Sequence, residues 1–65
     1  MTLDECREIA GTLRAVCYYP FPGARPEYGE VVRCSSSAAF VLYDGDRAPK
    51  ATRPEDLYLA TQAPA

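Results

Sequence analysis

Aromatic residues next to prolines are the side chains of this sequence best suited to hold a ligand. Tyr18, Phe21 and Tyr28 lie in or beside the segment from Pro20 to Tyr28, which contains three prolines and Arg25. Aromatic rings beside prolines form grooves that bind extended peptides, and aromatic rings near arginine also stack on nucleic-acid bases. We therefore predict that Tyr18, Phe21, Arg25 and Tyr28 bind a protein partner. The alternative is that these side chains only pin the segment to the rest of the protein.

Basic residues in the second half of the chain offer a different surface, for nucleic acid. The four candidates are Arg33, Arg47, Lys50 and Arg53. Non-specific nucleic-acid binding draws on a basic surface, because contacts to phosphate supply most of its affinity. Nine acidic residues against seven basic ones give a net charge of -2, which argues mildly against this function. One contiguous basic face would favour nucleic acid, whereas scattered basic residues would favour a protein partner.

Side chains that could carry catalysis are few. The chain has no histidine, the commonest general base and the commonest metal ligand. Asp44 and Asp46 flank Gly45, and an Asp-Gly pair is typical of a hairpin turn. Glu55 and Asp56 follow a proline and suit the start of a helical turn. We predict no enzymatic activity, no cofactor and no metal.

The cysteines are better explained by packing than by chemistry. Cys6, Cys17 and Cys34 are separated by 11 and 17 residues, unlike the close pairs of structural zinc sites. Free cysteine packs as a small hydrophobic residue. We expect three reduced thiols and a cytoplasmic location. No apolar run approaches the 18 residues or so of a membrane-spanning helix, so no membrane association is expected.

A helix begins the chain. Thr2 and Glu5 have the spacing of a capping box, in which the hydroxyl and the carboxylate each bind a backbone N–H group. Apolar residues then recur at three- and four-residue spacings, which predicts an amphipathic helix within residues 1–12. Gly11 is the natural stop, because glycine adopts the left-handed conformation that ends many helices.

Strand-forming segments follow the helix. Strands are predicted over residues 13–19, 30–35 and 38–44, with a long, stiff loop from Pro20 to Tyr28 between the first two. After the turn at Asp44-Gly45 the chain returns through residues 50–52, and a single helical turn at Pro54 leads into a last strand.

Alternation along the strands predicts which side chains face the core. The expected inward set is Val31, Ala39, Val41 and Tyr43, which leaves Phe40 and Leu42 on the outer face. We expect the amphipathic helix to cover those two residues. The sequence thus predicts a single, mainly β domain, a small five-stranded SH3-like barrel over residues 13–60. An N-terminal helix over residues 1–12 and a frayed tail over residues 61–65 complete it.

Residues 28–59 resemble a group of short proteins from tailed phages, prophages and their bacterial hosts. The similarity lies in Gly29-Glu30-Val31-Val32, in the turn Val41-Leu42-Tyr43-Asp44-Gly45-Asp46, and in the ending Lys50-Ala51-Thr52-Arg53-Pro54-Glu55-Asp56-Leu57. Most members of that group have no assigned function. The resemblance implies an SH3-like barrel encoded on a mobile element and transfers no catalytic residue. We expect an accessory binding module that is a monomer or a weak homodimer.

Overall fold

Five antiparallel strands and one short helix make up the computed structural model, which describes residues 1–62. The elements are α1 Leu3–Ile9, β1 Ala15–Tyr18, β2 Glu27–Cys34, β3 Ala39–Tyr43, β4 Lys50–Thr52 and β5 Leu57–Leu59. The strand order is β4-β3-β2-β1-β5, so β4 and β5 are the two edges of an open sheet. The predicted mainly β class, with five strands and one N-terminal helix, is confirmed.

Two short 3₁₀ turns flank β5. The first, Pro54–Asp56, joins β4 to β5 and is the helical turn predicted from the sequence. The second, Ala60–Gln62, follows β5, so residues 61 and 62 have regular structure where a tail was expected. The rest of the predicted tail lies outside the described residues.

The capping box fixes the start of α1. The Thr2 hydroxyl accepts a hydrogen bond from the Glu5 amide at 3.1 Å, and the Glu5 carboxylate accepts one from the Thr2 amide at 2.8 Å. The hydrogen bond from the Thr2 amide stabilises the ionised carboxylate and lowers the pKa of Glu5. The helix ends at Ile9, and Gly11 has a φ of 75°. The helix α1 therefore has only 7 residues.

The core lies between α1 and one face of the sheet, which we call the inner face. Its buried residues are Cys6, Ile9, Val16, Val31, Ala39, Val41, Tyr43 and Leu57. The predicted inward set on β2 and β3 is therefore buried. The prediction that α1 covers Phe40 and Leu42 is wrong, because Cys6 and Ile9 pack on the opposite face, with Val31 and Val41. Strand alternation places Phe40 and Leu42 on the outer face.

Strand β2 begins earlier than predicted. Glu27 and Tyr28 pair with Tyr18 and Cys17 of β1, so both belong to the sheet and the preceding loop covers only residues 19–26. Pro26 lies directly before the strand, a position that does not require its missing N–H group. This longer strand places Tyr28 on the sheet instead of in the loop.

Candidate functional site

The loop over residues 19–26 is built around a tight turn. The Ala24 amide donates a hydrogen bond to the Phe21 carbonyl at 3.0 Å. Pro22 occupies the second position of this turn, and Gly23, with a φ of 82°, occupies the third. Proline followed by a residue with positive φ is the pattern of a type II turn. The turn therefore restrains the loop while Phe21 is 64% exposed.

Three tyrosines surround a buried cysteine on the outer face of the sheet. Tyr28 of β2 and Tyr58 of β5 lie on either side of Cys17 in the strand register. Tyr19 packs edge-on against Tyr58 with 5.9 Å between ring centroids, and its side chain shares a hydrogen bond with Cys17. We call Tyr19, Tyr28 and Tyr58 the aromatic cluster. It leaves Cys17 with no exposed surface.

Packing in and around the aromatic cluster raises the pKa of Tyr19 and of Cys17. Desolvation raises the pKa of Tyr19, and the neighbouring Cys17, Tyr28 and Tyr58 raise it further. Desolvation also raises the pKa of the Cys17 thiol. Both groups are therefore held in their neutral forms near pH 7, which suits an apolar contact surface better than nucleophilic chemistry.

An open groove of about 700 Å³ lies between the loop and the first 3₁₀ turn. Tyr19 and Phe21 line it from the loop, and Tyr58 lines it from β5. Glu55 and Asp56 line it from the 3₁₀ turn, and the rest of the lining comes from loop residues Pro20, Pro22, Gly23, Ala24 and Pro26. We call this the aromatic groove. It is larger than two other grooves on the molecule, of about 430 and 340 Å³.

The predicted partner-binding residues do not form one surface. Phe21 lines the aromatic groove, and Tyr28 belongs to the aromatic cluster beside it. Tyr18 lies on the inner face, where its ring centroid is 6.1 Å from that of Tyr43. Adjacent strand residues point to opposite faces, which separates Tyr18 from its neighbours in the sequence. Arg25 is exposed in the loop.

Sequence reasoning missed Tyr58. It lies 37 residues or more from the other aromatic side chains of the groove, at Tyr19 and Phe21, and reaches them only because β5 pairs with β1. No pattern in the residues near Tyr58 predicts that β5 pairs with β1. The predicted 3₁₀ turn followed by a strand was the one available signal.

The four basic candidates are divided between the two faces. Arg33 lies on the outer face, with its guanidinium 4.5 Å from the centre of the Phe40 ring. Lys50 and Arg53 line a groove beside Tyr18 and Tyr43 on the other side of the sheet. Both are paired with acids, Lys50 with Asp46 at 3.3 Å and Arg53 with Asp56 at 3.0 Å. Arg47 lies exposed between β3 and β4.

Scanned against models of protein families, curated proteins and solved structures, the chain has no significant match. Among residues 1–62, no helix is long and apolar enough to cross a membrane. Within the same residues, no three Cys, Asp or Glu side chains are grouped as metal ligands would be. The function is therefore inferred from the aromatic groove and the surfaces around it.

Proposed function

We propose that this protein is a non-enzymatic binding module that holds an extended segment of a protein partner in the aromatic groove. The observation that carries the proposal is that Phe21 and Tyr58 both line one groove of about 700 Å³. Both rings are partly open to solvent, Phe21 by 64% and Tyr58 by 37%. Aromatic side chains in such positions are common hot spots of protein interfaces.

The loop supports this function because it loses little freedom on binding. Its prolines and the hydrogen-bonded turn from Phe21 to Ala24 restrict the conformations of the unbound loop. Ordering a mobile loop would subtract from the binding free energy, so a restrained loop binds more tightly with the same contacts. An extended, proline-containing peptide fits such a groove, since it too is ordered beforehand.

The strand arrangement is compatible with an SH3-like barrel, which we propose as the fold. Strands β2, β3 and β4 form a meander, β1 pairs with both β2 and β5, and a 3₁₀ turn precedes β5. We also propose, from the resemblance described for residues 28–59, an accessory role on a mobile element. Three free cysteines agree with a reducing cytoplasm.

Nucleic-acid binding is the less favoured function. Arg33 lies on one face of the sheet, and Lys50 and Arg53 lie on the other. The ion pairs of Lys50 with Asp46 and of Arg53 with Asp56 reduce the positive charge available to phosphate. The placement of these basic residues on two faces therefore favours a protein partner over nucleic acid.

Peptide titration followed by heteronuclear NMR tests the proposal. The probes are synthetic proline-rich decapeptides, with a single-stranded oligonucleotide for comparison. We expect the peptides to shift the amide signals of residues 19–26 and 55–58. Phe21→Ala should weaken binding by about tenfold or more, since such anchors often contribute 2 kcal/mol or more.

Leu13→Ala is the matched control, because Leu13 is an exposed apolar side chain outside the groove, at 75% exposure. It should leave peptide affinity unchanged. Reversal of charge at Arg47 and Lys50 should also have little effect. Binding that survives Phe21→Ala, is lost on charge reversal and falls steeply with salt would replace the proposal with nucleic-acid binding.

A further inference from the structure

The outer face of the sheet carries two adjacent cross-strand rows, and α1 lies on the opposite face. In one row Ala15, Glu30 and Leu42 are paired across β1, β2 and β3. In the next row Arg33 is paired with Phe40. Residues two apart on a strand are separated by about 7 Å, so the rows are close neighbours. The half-buried apolar side chains Phe40 and Leu42 therefore lie together on the outer face.

The charges in these rows are opposite and lie on the same strand. Glu30 is half-buried, forms no ion pair with any residue from 1 to 62, and is paired across the sheet with the apolar residues Ala15 and Leu42. Arg33 likewise forms no ion pair within the described residues, and its guanidinium lies over the Phe40 ring. When a second copy faces this surface with its strands running in the opposite direction, the acid of each copy lies opposite the base of the other. The surface is therefore complementary to itself.

The backbone conformation and exposure of Leu13 are a second observation that indicates a binding partner on the outer face. Its φ is 65°, the only positive φ at a non-glycine residue within the described part of the chain, and its side chain is 75% exposed. Leucine in this conformation is strained, and backbone strain of this kind is concentrated at functional surfaces. Leu13 lines a shallow groove of about 430 Å³ together with Ala15, Glu30 and Leu42.

We propose that two copies of this chain form a twofold dimer by packing outer face against outer face. The axis lies in the interface, perpendicular to the strands and between the two rows. It places Arg33 opposite Glu30 of the partner subunit, and Phe40 opposite Leu42 of the partner subunit. Each dimer therefore has two Arg–Glu contacts around an apolar centre, in the geometry of two aligned sheets about 10 Å apart. Leu13 packs at the margin of that centre.

A stable dimer would need a large share of the surface of this small chain. A stable complex buries about 800 Å² of each partner. The whole chain exposes 4346 Å², so such an interface would take about a fifth of its surface. The lining of the aromatic groove shares no residue with the two rows.

Sedimentation equilibrium with charge-reversed variants tests the dimer. The parent protein is measured from about 10 µM to about 1 mM, a range in which interfaces of modest size dissociate. Arg33→Glu and Glu30→Arg, each alone, place like charges opposite each other at both contacts. We expect each variant to dimerise at least about tenfold more weakly than the parent. An equimolar mixture of the two variants should associate again, because both contacts of the heterodimer are then complementary.

Further variants separate the interface from the fold and from the aromatic groove. Leu13→Asn removes the apolar side chain and introduces a residue that accepts a positive φ more readily, so the monomer should stay folded while the dimer weakens about tenfold. Phe21→Ala should leave the dimer unchanged. Circular dichroism and thermal melting confirm that each variant is folded. A parent that is monomeric at 1 mM, or a dimer indifferent to both charge reversals, would overturn the proposal.

Discussion

The three cysteines differ in how far solvent reaches them. Cys6 and Cys17 have no exposed surface, and Cys34 is half-buried at the end of β2. Desolvation raises the pKa of both Cys6 and Cys17. The thiolate is the reactive form, so burial and the raised pKa both slow the reaction of these two thiols. Position in the fold thus sets the order of their reactivity.

Thiol labelling of the folded protein at neutral pH should therefore show one fast group and two slow groups. Cys34 reacts first, and Cys6 and Cys17 react only when the structure opens. Denaturant should release three free thiols at once. A rise in pH should accelerate every reaction without removing the lag of the two buried groups.

The Cys34→Ser variant is the control for that assignment, because it should lose the fast phase alone. Rapid labelling of Cys17 in the folded protein would show that Tyr19, Tyr28 and Tyr58 do not cover it. Such a result would also weaken the case for the aromatic groove, since Tyr19 and Tyr58 form part of its lining.

Strands β2 and β3 approach each other closely at Gly29. A Cβ atom at this position would collide with the Leu42 carbonyl oxygen and would lie 2.8 Å from the Tyr43 Cα atom. Both contacts are with the backbone of a paired strand, which moves only if the sheet separates locally. Gly29→Ala should therefore destabilise the protein by about 3 kcal/mol, at the upper end of the usual cost of overpacking.

Gly45→Ala is the matched comparison for Gly29→Ala. Gly45 has a φ of 87°, and a Cβ atom there meets nothing within 4 Å. Its substitution costs only backbone strain, about 1 kcal/mol. Chemical denaturation of both variants measures the difference. Equal losses would mean that β2 and β3 are not as close at Gly29 as the structure has them.

Elements with local signals were predictable from the sequence. The capping box at Thr2 and Glu5, the turn at Gly45 and the 3₁₀ turn at Pro54 each depend on a few neighbouring residues, and all three are present. The inward set of β3 followed from simple alternation. These features need no knowledge of distant parts of the chain.

Features set by contacts between distant segments were not predictable. The face covered by α1 depends on how the core closes around Cys6 and Ile9, and an amphipathic helix suits either face of a sheet that is apolar on both. The position of Tyr58 depends on the pairing of β1 with β5. The bulge between Val31 and Arg33 shifts the register of β2 by one residue, which hydrophobic alternation alone does not reveal.

The small size of the core makes the whole domain sensitive to single changes on the inner face. A 65-residue domain of this kind has a total stability of about 3–5 kcal/mol. Val41 is fully buried at the centre of β3. Burial of an unpaired carboxylate costs several kcal/mol, comparable to the entire stability. Val41→Asp should therefore unfold the protein at neutral pH.

Leu42→Asp is the control for Val41→Asp, because Leu42 is the next residue of the same strand and lies on the half-exposed outer face. It should remain folded with a cooperative melt, while weakening the proposed dimer. Acidic pH should partly restore folding of the Val41→Asp variant, since a protonated carboxyl group is less costly to bury than a charged one. Thermal melts of both variants at neutral and acidic pH measure these effects. Cooperative unfolding of Val41→Asp near the parent's melting temperature would show that Val41 does not face the core, and the assignment of inner and outer faces would then be reversed.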